Sequence, residues 1–406
     1  MRAGQDNGGG SFIIRFAALD GWRGICAPLI AIFHFHIDSP ISTSLFVRHS
    51  WMLVDFFFVL SGFVIAHAYA GKLSTGRDLM AFLIRRIGRL WPLHAFFLAI
   101  LVCAAAAKYL VRAKGFNIEV TSNPENTPYS VLTNLLFLHS FGLHKAVTWN
   151  TPSWSISAEF LTNVIFGVAF ALVPKGRIAA ALVLSAIGAF VLLVFSERTI
   201  NTAEDFGLFR CMYGFFIGYV VYRIVVAYGS PLRQMTPASI AELASIIAVA
   251  AFVSICASSP SRMFAPFVFA VAIWVFAAER GVFSRLLQCR PLVIVGLLSY
   301  SIYMSHMMII TAANNAFQVA TRLASKSTAD SWESLFSNKW YLDALVIAFI
   351  VTIIAVSWCT YNFLEVPLRR RFNRMANRIS PKREIEPLGV SLQDLTGSPQ
   401  SVPAAE

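Results

Sequence analysis

Near its amino terminus the chain reads Ala18-Leu19-Asp20-Gly21-Trp22-Arg23-Gly24-Ile25-Cys26-Ala27-Pro28-Leu29-Ile30-Ala31-Ile32-Phe33-His34-Phe35-His36. This mostly apolar run contains Arg23 and, eleven residues later, His34. In an α-helix that separation corresponds to about three turns and a rise of about 16 Å, so the two side chains share a face. Ionisable groups inside a membrane-spanning helix are costly and generally mark a binding site or a transport path. The stretch therefore indicates a functional site within a membrane. The alternative is an anchoring arginine and a histidine that hydrogen-bonds a neighbouring helix.

The whole chain has the composition of an integral membrane protein. Its 406 residues are 57% hydrophobic and 13% charged, and the mean hydropathy is +0.65. The formal charge of +12 does not indicate a nucleic-acid partner, because the basic residues lie in short connections between apolar runs. The six cysteines have neither metal-ligand nor redox spacing, so we expect no metal site.

Ten segments are predicted to cross the membrane. They are Phe16–His36, Trp51–Ala70, Pro92–Leu110, Trp154–Val173, Ile178–Phe195, Phe206–Val226, Ile240–Ala257, Phe264–Ala278, Pro291–Val319 and Tyr341–Leu364. The fold class is therefore an all-α integral membrane protein of about ten transmembrane helices. Most of the 33 Lys and Arg residues fall on the side of the two termini, so the positive-inside rule places both termini in the cytoplasm.

The remaining segments are assigned to tails and connections. Residues 1–15 form a polar amino-terminal tail, residues 16–370 the transmembrane domain, and residues 371–406 a basic and then disordered cytoplasmic tail. Lys72–Arg89 is predicted to be a basic turn and Val111–Tyr129 a polar connection. Val131–Phe141 is too short to span and is expected to lie at the interface or to re-enter the membrane.

Two groups of polar residues are predicted from their depth in these helices. Arg23, Arg86 and Arg89 lie towards the cytoplasmic face, where guanidinium groups suit phosphates; the alternative is that they only determine topology. A second group, expected together in the outer half of the membrane, is His34, Asp55, Glu159 and His306. Two imidazoles and two carboxylates at one depth favour general acid–base chemistry. His36 lies about 200° from His34 on the helix and is expected to face elsewhere.

Six motifs in order resemble those of the membrane-bound acyltransferase 3 family, over about residues 16 to 370. They are Leu19–Gly24 with His34, Asp55–Phe63, Arg86–Arg89 with Pro92, Trp154–Glu159, Ser299–Tyr303 with His306, and Glu365–Pro367. Trp22 and Ala158 depart from the more common leucine and valine, and neither change removes a chemical group. The resemblance implies transfer of an acyl group, most often acetyl, from cytoplasmic acyl-CoA to a hydroxyl of a carbohydrate or other acceptor at the bacterial inner membrane.

We therefore expect a multi-pass O-acetyltransferase of the inner membrane with acetyl-CoA as the donor substrate. The CoA phosphates would bind Arg23, Arg86 and Arg89, and His34 would act as the general base, with Asp55 or Glu159 holding its tautomer. A covalent acyl-imidazole is the less favoured route. The expected partners are acyl-CoA, a carbohydrate or glycolipid acceptor and membrane lipid. The alternative function is a transporter or flippase of a polar lipid-linked intermediate, whose intramembrane charges would line a substrate path.

Overall fold

The computed structural model describes residues 16–69, 72–115, 123–173, 175–228, 238–323 and 339–380. These residues form helices and their connections, and none of them lies in a β-strand. The amino-terminal tail and the disordered carboxy-terminal segment predicted from the sequence lie outside the described residues, as does the middle of the Val111–Tyr129 connection.

Ten long helices follow the ten predicted spans in order. They are α1 (Ala17–His34), α2 (Leu53–Tyr69), α3 (Gly76–Ala113), α4 (Trp154–Leu172), α5 (Arg177–Val194), α6 (Gly207–Tyr228), α7 (Ala238–Cys256), α8 (Ala265–Phe276), α9 (Arg290–Leu323) and α10 (Lys339–Thr360). A π-helical turn, Tyr361–Glu365, joins α10 to a further helix, α11 (Val366–Ile379). Short helices lie in the connections at Pro40–Thr43, Leu45–Arg48, Pro128–Leu135 and Val282–Leu287.

Eight helical segments of the described chain are long and apolar enough to cross a membrane. The two exceptions among the ten are α1, which is interrupted by Asp20 and Arg23, and α8, which has 12 residues. A 3₁₀ turn, Pro260–Phe264, precedes α8 and extends the apolar helical segment to about 28 Å, close to the thickness of the hydrocarbon core. The prediction of an all-α integral membrane protein is confirmed.

The start of α3 corrects the sequence-based prediction. The helix begins at Gly76, where Thr75 and Asp78 form a reciprocal capping box, and it continues through Pro92 to Ala113. The Lys72–Arg89 segment is therefore mostly helix, not a basic turn. The 38 residues of α3 give a length of about 57 Å, and Arg86 lies ten residues after the start of the helix. Arg86 is consequently deeper than a residue at the start of a span.

Helix α11 also corrects a predicted boundary. It passes residue 370, where the transmembrane domain was expected to end, and packs against the first half of α3. Asn377 accepts a hydrogen bond from Arg85 at 2.7 Å, and Ser380 donates one to Asp78 at 2.8 Å. Residues 371–380 therefore belong to the folded domain.

Both ends of the described domain lie on the same side. The Phe16 ring packs against Phe63 and His67 near the end of α2, with ring centroids 5.1 and 5.4 Å apart, respectively. Ser380 contacts Asp78 at the start of α3. The two ends therefore share the side of the α2–α3 connection, as an even number of spans requires. That this side is cytoplasmic stays a prediction from the charges.

The short apolar segment between α3 and α4 forms an eight-residue helix, Pro128–Leu135, which is too short to span. Ser130, Thr133 and Asn134 are buried, whereas Leu132 and Leu136 are exposed. The Trp91 indole of α3 donates to the Leu135 carbonyl at 3.0 Å and holds this helix against α3.

Glycines allow the closest helix contacts. An added Cβ on Gly24 of α1 would lie 2.3 Å from the carbonyl oxygen of Leu292 in α9. One on Gly296 of α9 would lie 2.0 Å from the carbonyl oxygen of Asp20. The α2–α6 pair is built in the same way, with Gly218 against the Val59 carbonyl. Small residues that let backbones approach are a main means of helix association within membranes.

This packing generates a prediction about Gly24. Gly24→Ala should destabilise the protein, because the new methyl group overlaps backbone atoms of α9, and these cannot move away unless the whole helix shifts. Overpacking of this kind costs about 1–3 kcal/mol, which thermal unfolding in detergent would register as a lower midpoint. Gly76→Ala is the matched control, since nothing lies within 4 Å of a Cβ added there. Equal midpoints for the two variants would contradict the close α1–α9 contact.

Candidate active site

A cavity opens between α1, α2, α3, α4 and α9. Its wall contains Arg23, Arg86 and Arg89, the three cations predicted to act together, and also Glu159. On α2 the lining residues extend from Val54 to His67, which corresponds to about 20 Å along the helix axis. The cavity is therefore a long channel that begins near the predicted cytoplasmic side and ends in the outer half of the domain.

Arg23 and Arg89 differ in the partners they have. Arg23 donates to the Ser299 hydroxyl at 2.9 Å and lies 3.4 Å from a carboxylate oxygen of Asp20. Arg89, one turn beyond Arg86 on α3, has neither a hydrogen bond nor an ion pair to any residue that the structure describes. Both guanidinium groups line the cavity, and the charge of Arg89 is not neutralised by an adjacent carboxylate of the described chain.

Glu159 forms an ion pair with Arg86 and no hydrogen bond with His34. Its Oε1 accepts hydrogen bonds from Arg86 Nη2 at 2.7 Å and from the Ser61 hydroxyl at 2.8 Å. The two residues meet because α3 starts four turns before Pro92 and carries Arg86 up to the depth of Glu159. The expectation that Glu159 could orient His34 is therefore wrong. Its second oxygen, Oε2, accepts no hydrogen bond from the described residues.

Asp55 is also engaged elsewhere, in a buried ion pair with Arg210 of α6. Oδ1 lies 2.9 Å from Arg210 Nε and Oδ2 lies 2.7 Å from Nη2, a bidentate arrangement. The guanidinium carbon lies 5.3 Å from the Trp51 ring centroid and 5.2 Å from that of Trp154. Asp55 therefore joins α2 to α6, and the expectation that it could hold the tautomer of His34 is wrong.

His34 and His306 are brought together, as predicted. Their ring centroids are 5.0 Å apart, across the contact between α1 and α9. His34 Nδ1 lies 2.9 Å from the Ile30 carbonyl oxygen, and His306 Nδ1 lies 3.3 Å from that of Ile302. Since a carbonyl only accepts, each Nδ1 carries the proton in the neutral ring and each Nε2 has a free lone pair. Backbone carbonyls, not carboxylates, thus fix both tautomers.

The environments of the three histidines in this region are distinct. His306 is fully buried, and its Nε2 has no hydrogen-bond partner among the described residues. His34 is half-buried, so it is the more accessible member of the pair. His36 is exposed and lies outside the pair, as its position on the helix predicts.

Tyr303 connects the cavity to the histidine pair. Its side chain lines the cavity, and its ring centroid is 5.7 Å from that of His306. Its hydroxyl donates to the Pro152 carbonyl at 3.1 Å and accepts from the Ser155 hydroxyl at 2.8 Å. The two histidines themselves are not part of the cavity lining.

Sequence reasoning missed Arg210 and Tyr303 as contributors to the site. An arginine inside a predicted span requires a buried partner, so the position of Arg210 was a usable signal. Tyr303 lies in the Ser299–Tyr303 motif but carries no charge, and nothing in its spacing shows which neighbour it contacts. Within the described chain, no group of three or more His, Cys, Asp or Glu side chains is arranged to hold a metal ion.

Comparison with known proteins agrees with these motifs. The profile of a family described as an acyltransferase domain matches residues 16–364. Protein 2 in picA locus of Rhizobium radiobacter is 32% identical over 158 residues, which cover 37% of this chain and 81% of that protein. Acyltransferase MdmB of Streptomyces mycarofaciens is 29% identical over 175 residues, which cover 40% of this chain and 41% of that enzyme. No solved structure shows significant similarity. The chain belongs to the family defined by this acyltransferase domain.

Proposed function

We propose that this protein transfers an acyl group, acetyl in the first instance, from cytoplasmic acyl-CoA to a hydroxyl of a carbohydrate or glycoconjugate at the bacterial inner membrane. The observation that supports this most strongly is the cavity, which has arginines along its wall and the His34–His306 pair beyond its outer end. Family membership supports acyl transfer, and the acyl-CoA donor and the carbohydrate acceptor are the parts that we add.

The arginines suit the phosphate groups of CoA. Arg89 can bind a phosphate without giving up an existing ion pair to the described chain, whereas Arg23 would give up its hydrogen bond to Ser299 and its longer contact with Asp20. Arg86 already shares its charge with Glu159, so its contribution to phosphate binding is smaller. We therefore assign phosphate binding chiefly to Arg89 and Arg23, with Arg86 positioned by Glu159.

The remainder of the cavity suits the pantetheine arm and the thioester. Towards its outer end the wall is largely apolar, with Val54, Phe57 and Phe58 from α2 and Ile156 from α4. An extended, uncharged arm that enters from the arginine side would carry its thioester towards Tyr303. The reacting carbonyl would then approach the histidine pair, while the acceptor arrives from the outer side.

His34 is the proposed general base. Its Nε2 takes the proton of the acceptor hydroxyl as the hydroxyl oxygen attacks the thioester carbonyl carbon. A C–O bond forms, the C–S bond breaks, and CoA leaves as a thiolate that receives the proton from His34. The products are the acyl ester and free CoA. His306, whose Nε2 is buried and unpartnered within the described chain, would hold the acceptor hydroxyl or the protonated His34.

The donor assignment predicts that acetyl-CoA affinity depends on Arg89 but not on Arg85, one turn earlier on α3. Arg89→Ala should weaken acetyl-CoA binding by about 10- to 100-fold, because a hydrogen bond between charged groups is worth about 1.5–3 kcal/mol. Arg89→Lys should recover part of this loss, since an ammonium keeps the charge but not the planar fork. The measurement is titration calorimetry or microscale thermophoresis of purified protein with acetyl-CoA.

Arg85→Ala is the matched control for that experiment. Arg85 lies four residues before Arg89, donates to Asn377 of α11 and does not line the cavity, so acetyl-CoA affinity should stay near that of the unmodified protein. If Arg89→Ala and Arg85→Ala bound acetyl-CoA equally well, the arginines of α3 would act only as topology signals.

The catalytic assignment predicts opposite results for two neighbouring histidines. His34→Ala should lower acyl transfer by about 100-fold or more, because the general base is lost, while acetyl-CoA binding stays unchanged. His36→Ala should keep most of the activity, since His36 is exposed and outside the pair. Incorporation of label from radiolabelled acetyl-CoA into the envelope carbohydrate of isolated membranes measures both, and mass spectrometry identifies the added group.

The reverse pattern would reject this assignment. Near-normal transfer in His34→Ala, combined with loss in His36→Ala, would mean that the reacting face of α1 is not the one that contacts α9. Absence of any label transfer by the unmodified protein, together with transport of a lipid-linked intermediate, would favour the transporter function instead.

A further inference from the structure

Tyr303 lies at the outer end of the cavity. Three residues mark this end, because Val54 is the outermost lining residue of α2, Ser155 that of α4 and Tyr303 that of α9. Of the three, Tyr303 has the largest side chain, and its ring centroid lies 5.7 Å from that of His306. Whatever is attached to the sulfur of a bound donor would meet this ring first.

The phenol of Tyr303 is held in place by two hydrogen bonds. It donates to the carbonyl of Pro152, in the 3₁₀ turn that leads into α4, and accepts from Ser155 in the first turn of α4. The Ser155 hydroxyl also lies 3.0 Å from the Pro152 carbonyl, so the three groups form a closed triangle. Rotation of the ring out of the way would break both of its bonds in a buried environment, which is unfavourable.

We propose that Tyr303 sets the size of the acyl group that this protein accepts. This inference rests on the proposed function, since it takes acyl-CoA as the donor. With the phosphates near Arg89 and the arm along α2, the acyl group lies against the Tyr303 ring. A methyl group fits in front of the ring, whereas a longer alkyl chain needs the volume that the ring occupies.

Binding of two donors of different chain length tests this role without knowledge of the acceptor. The probes are acetyl-CoA and hexanoyl-CoA, and the quantity compared is the ratio of their dissociation constants. The unmodified protein should prefer acetyl-CoA by about tenfold or more, the discrimination expected when a pocket of limited size rejects added methylenes. Tyr303→Ala should reduce this preference about tenfold or reverse it, because removal of the ring opens the end of the cavity.

Tyr303→Phe is the matched control. It loses both hydrogen bonds of the hydroxyl but keeps the ring, so the preference for acetyl-CoA should fall much less than in Tyr303→Ala. If Tyr303→Ala does not fold, as judged by thermal unfolding, Tyr303→Leu replaces it and should show a smaller shift in the same direction. This control separates the volume of the ring from the polarity of the phenol.

Three outcomes would overturn the proposal. An unchanged ratio in Tyr303→Ala, or in Tyr303→Leu where that variant is used, would show that the ring does not limit the acyl chain. Equal binding of both donors by the unmodified protein would show that no size limit exists, although the donor assignment would stand. Failure of the unmodified protein to bind acetyl-CoA, hexanoyl-CoA or free CoA would instead reject the proposed function itself.

Discussion

The close approach of α1 and α9 is the contact on which the candidate site depends. Gly24 and Gly296 let the two backbones meet, and any side chain at either position would overlap a carbonyl of the other helix. The helices run parallel, so one register aligns several pairs of residues at once. It places Arg23 beside Ser299 and, about half a membrane thickness further on, His34 beside His306. A single helix interface therefore positions the arginine that we assign to the donor and the imidazole that we assign to the acceptor hydroxyl.

Buried charges determine which of the other helices surround this interface. Asp55 and Arg210 join α2 to α6, and Arg86 and Glu159 join α3 to α4. Glu365 accepts hydrogen bonds from Ser301 of α9 and from Arg369, which holds the α10–α11 junction against the site. A charge in the hydrocarbon region is costly without a partner, so each pair favours one arrangement of its helices over others. Arg89 is different, because it has no ion pair with the described residues.

The sequence predicted the spans and the cationic end of the site well. Hydropathy and charge located the ten helices. Helical spacing put Arg86 and Arg89 on one face of α3, and Arg23 and His34 on one face of α1. The start of α3 was predicted wrongly because the charged Lys72–Arg89 segment was assigned to a turn, whereas the helix begins at Gly76 and continues through Pro92, since a proline is tolerated within a membrane helix. The Thr75–Asp78 capping box is the sequence signal that would have placed the start of α3 earlier.

The partners of the carboxylates could not be predicted in the same way. Depth along a helix follows from counting residues, and it placed Asp55 and Glu159 near His34. Rotation about the helix axis and the choice of neighbouring helix decide contact, and these depend on packing between segments far apart in the chain. Asp55 and Arg210 are separated by 155 residues, and nothing in either segment alone links them. The histidine pair was predictable only because each residue lies in a motif of its own and both fall at one depth.

The central claim is that acyl-CoA binds in the cavity, with its phosphates at the arginines and its thioester facing the histidine pair. A cryo-electron microscopy structure of the protein in lipid nanodiscs with CoA tests this claim most directly. We expect a CoA phosphate within hydrogen-bond distance of Arg89 and Arg23, the pantetheine arm along α2, and the sulfur next to Tyr303. CoA bound outside the cavity, or inserted with its sulfur towards the arginines, would contradict the account.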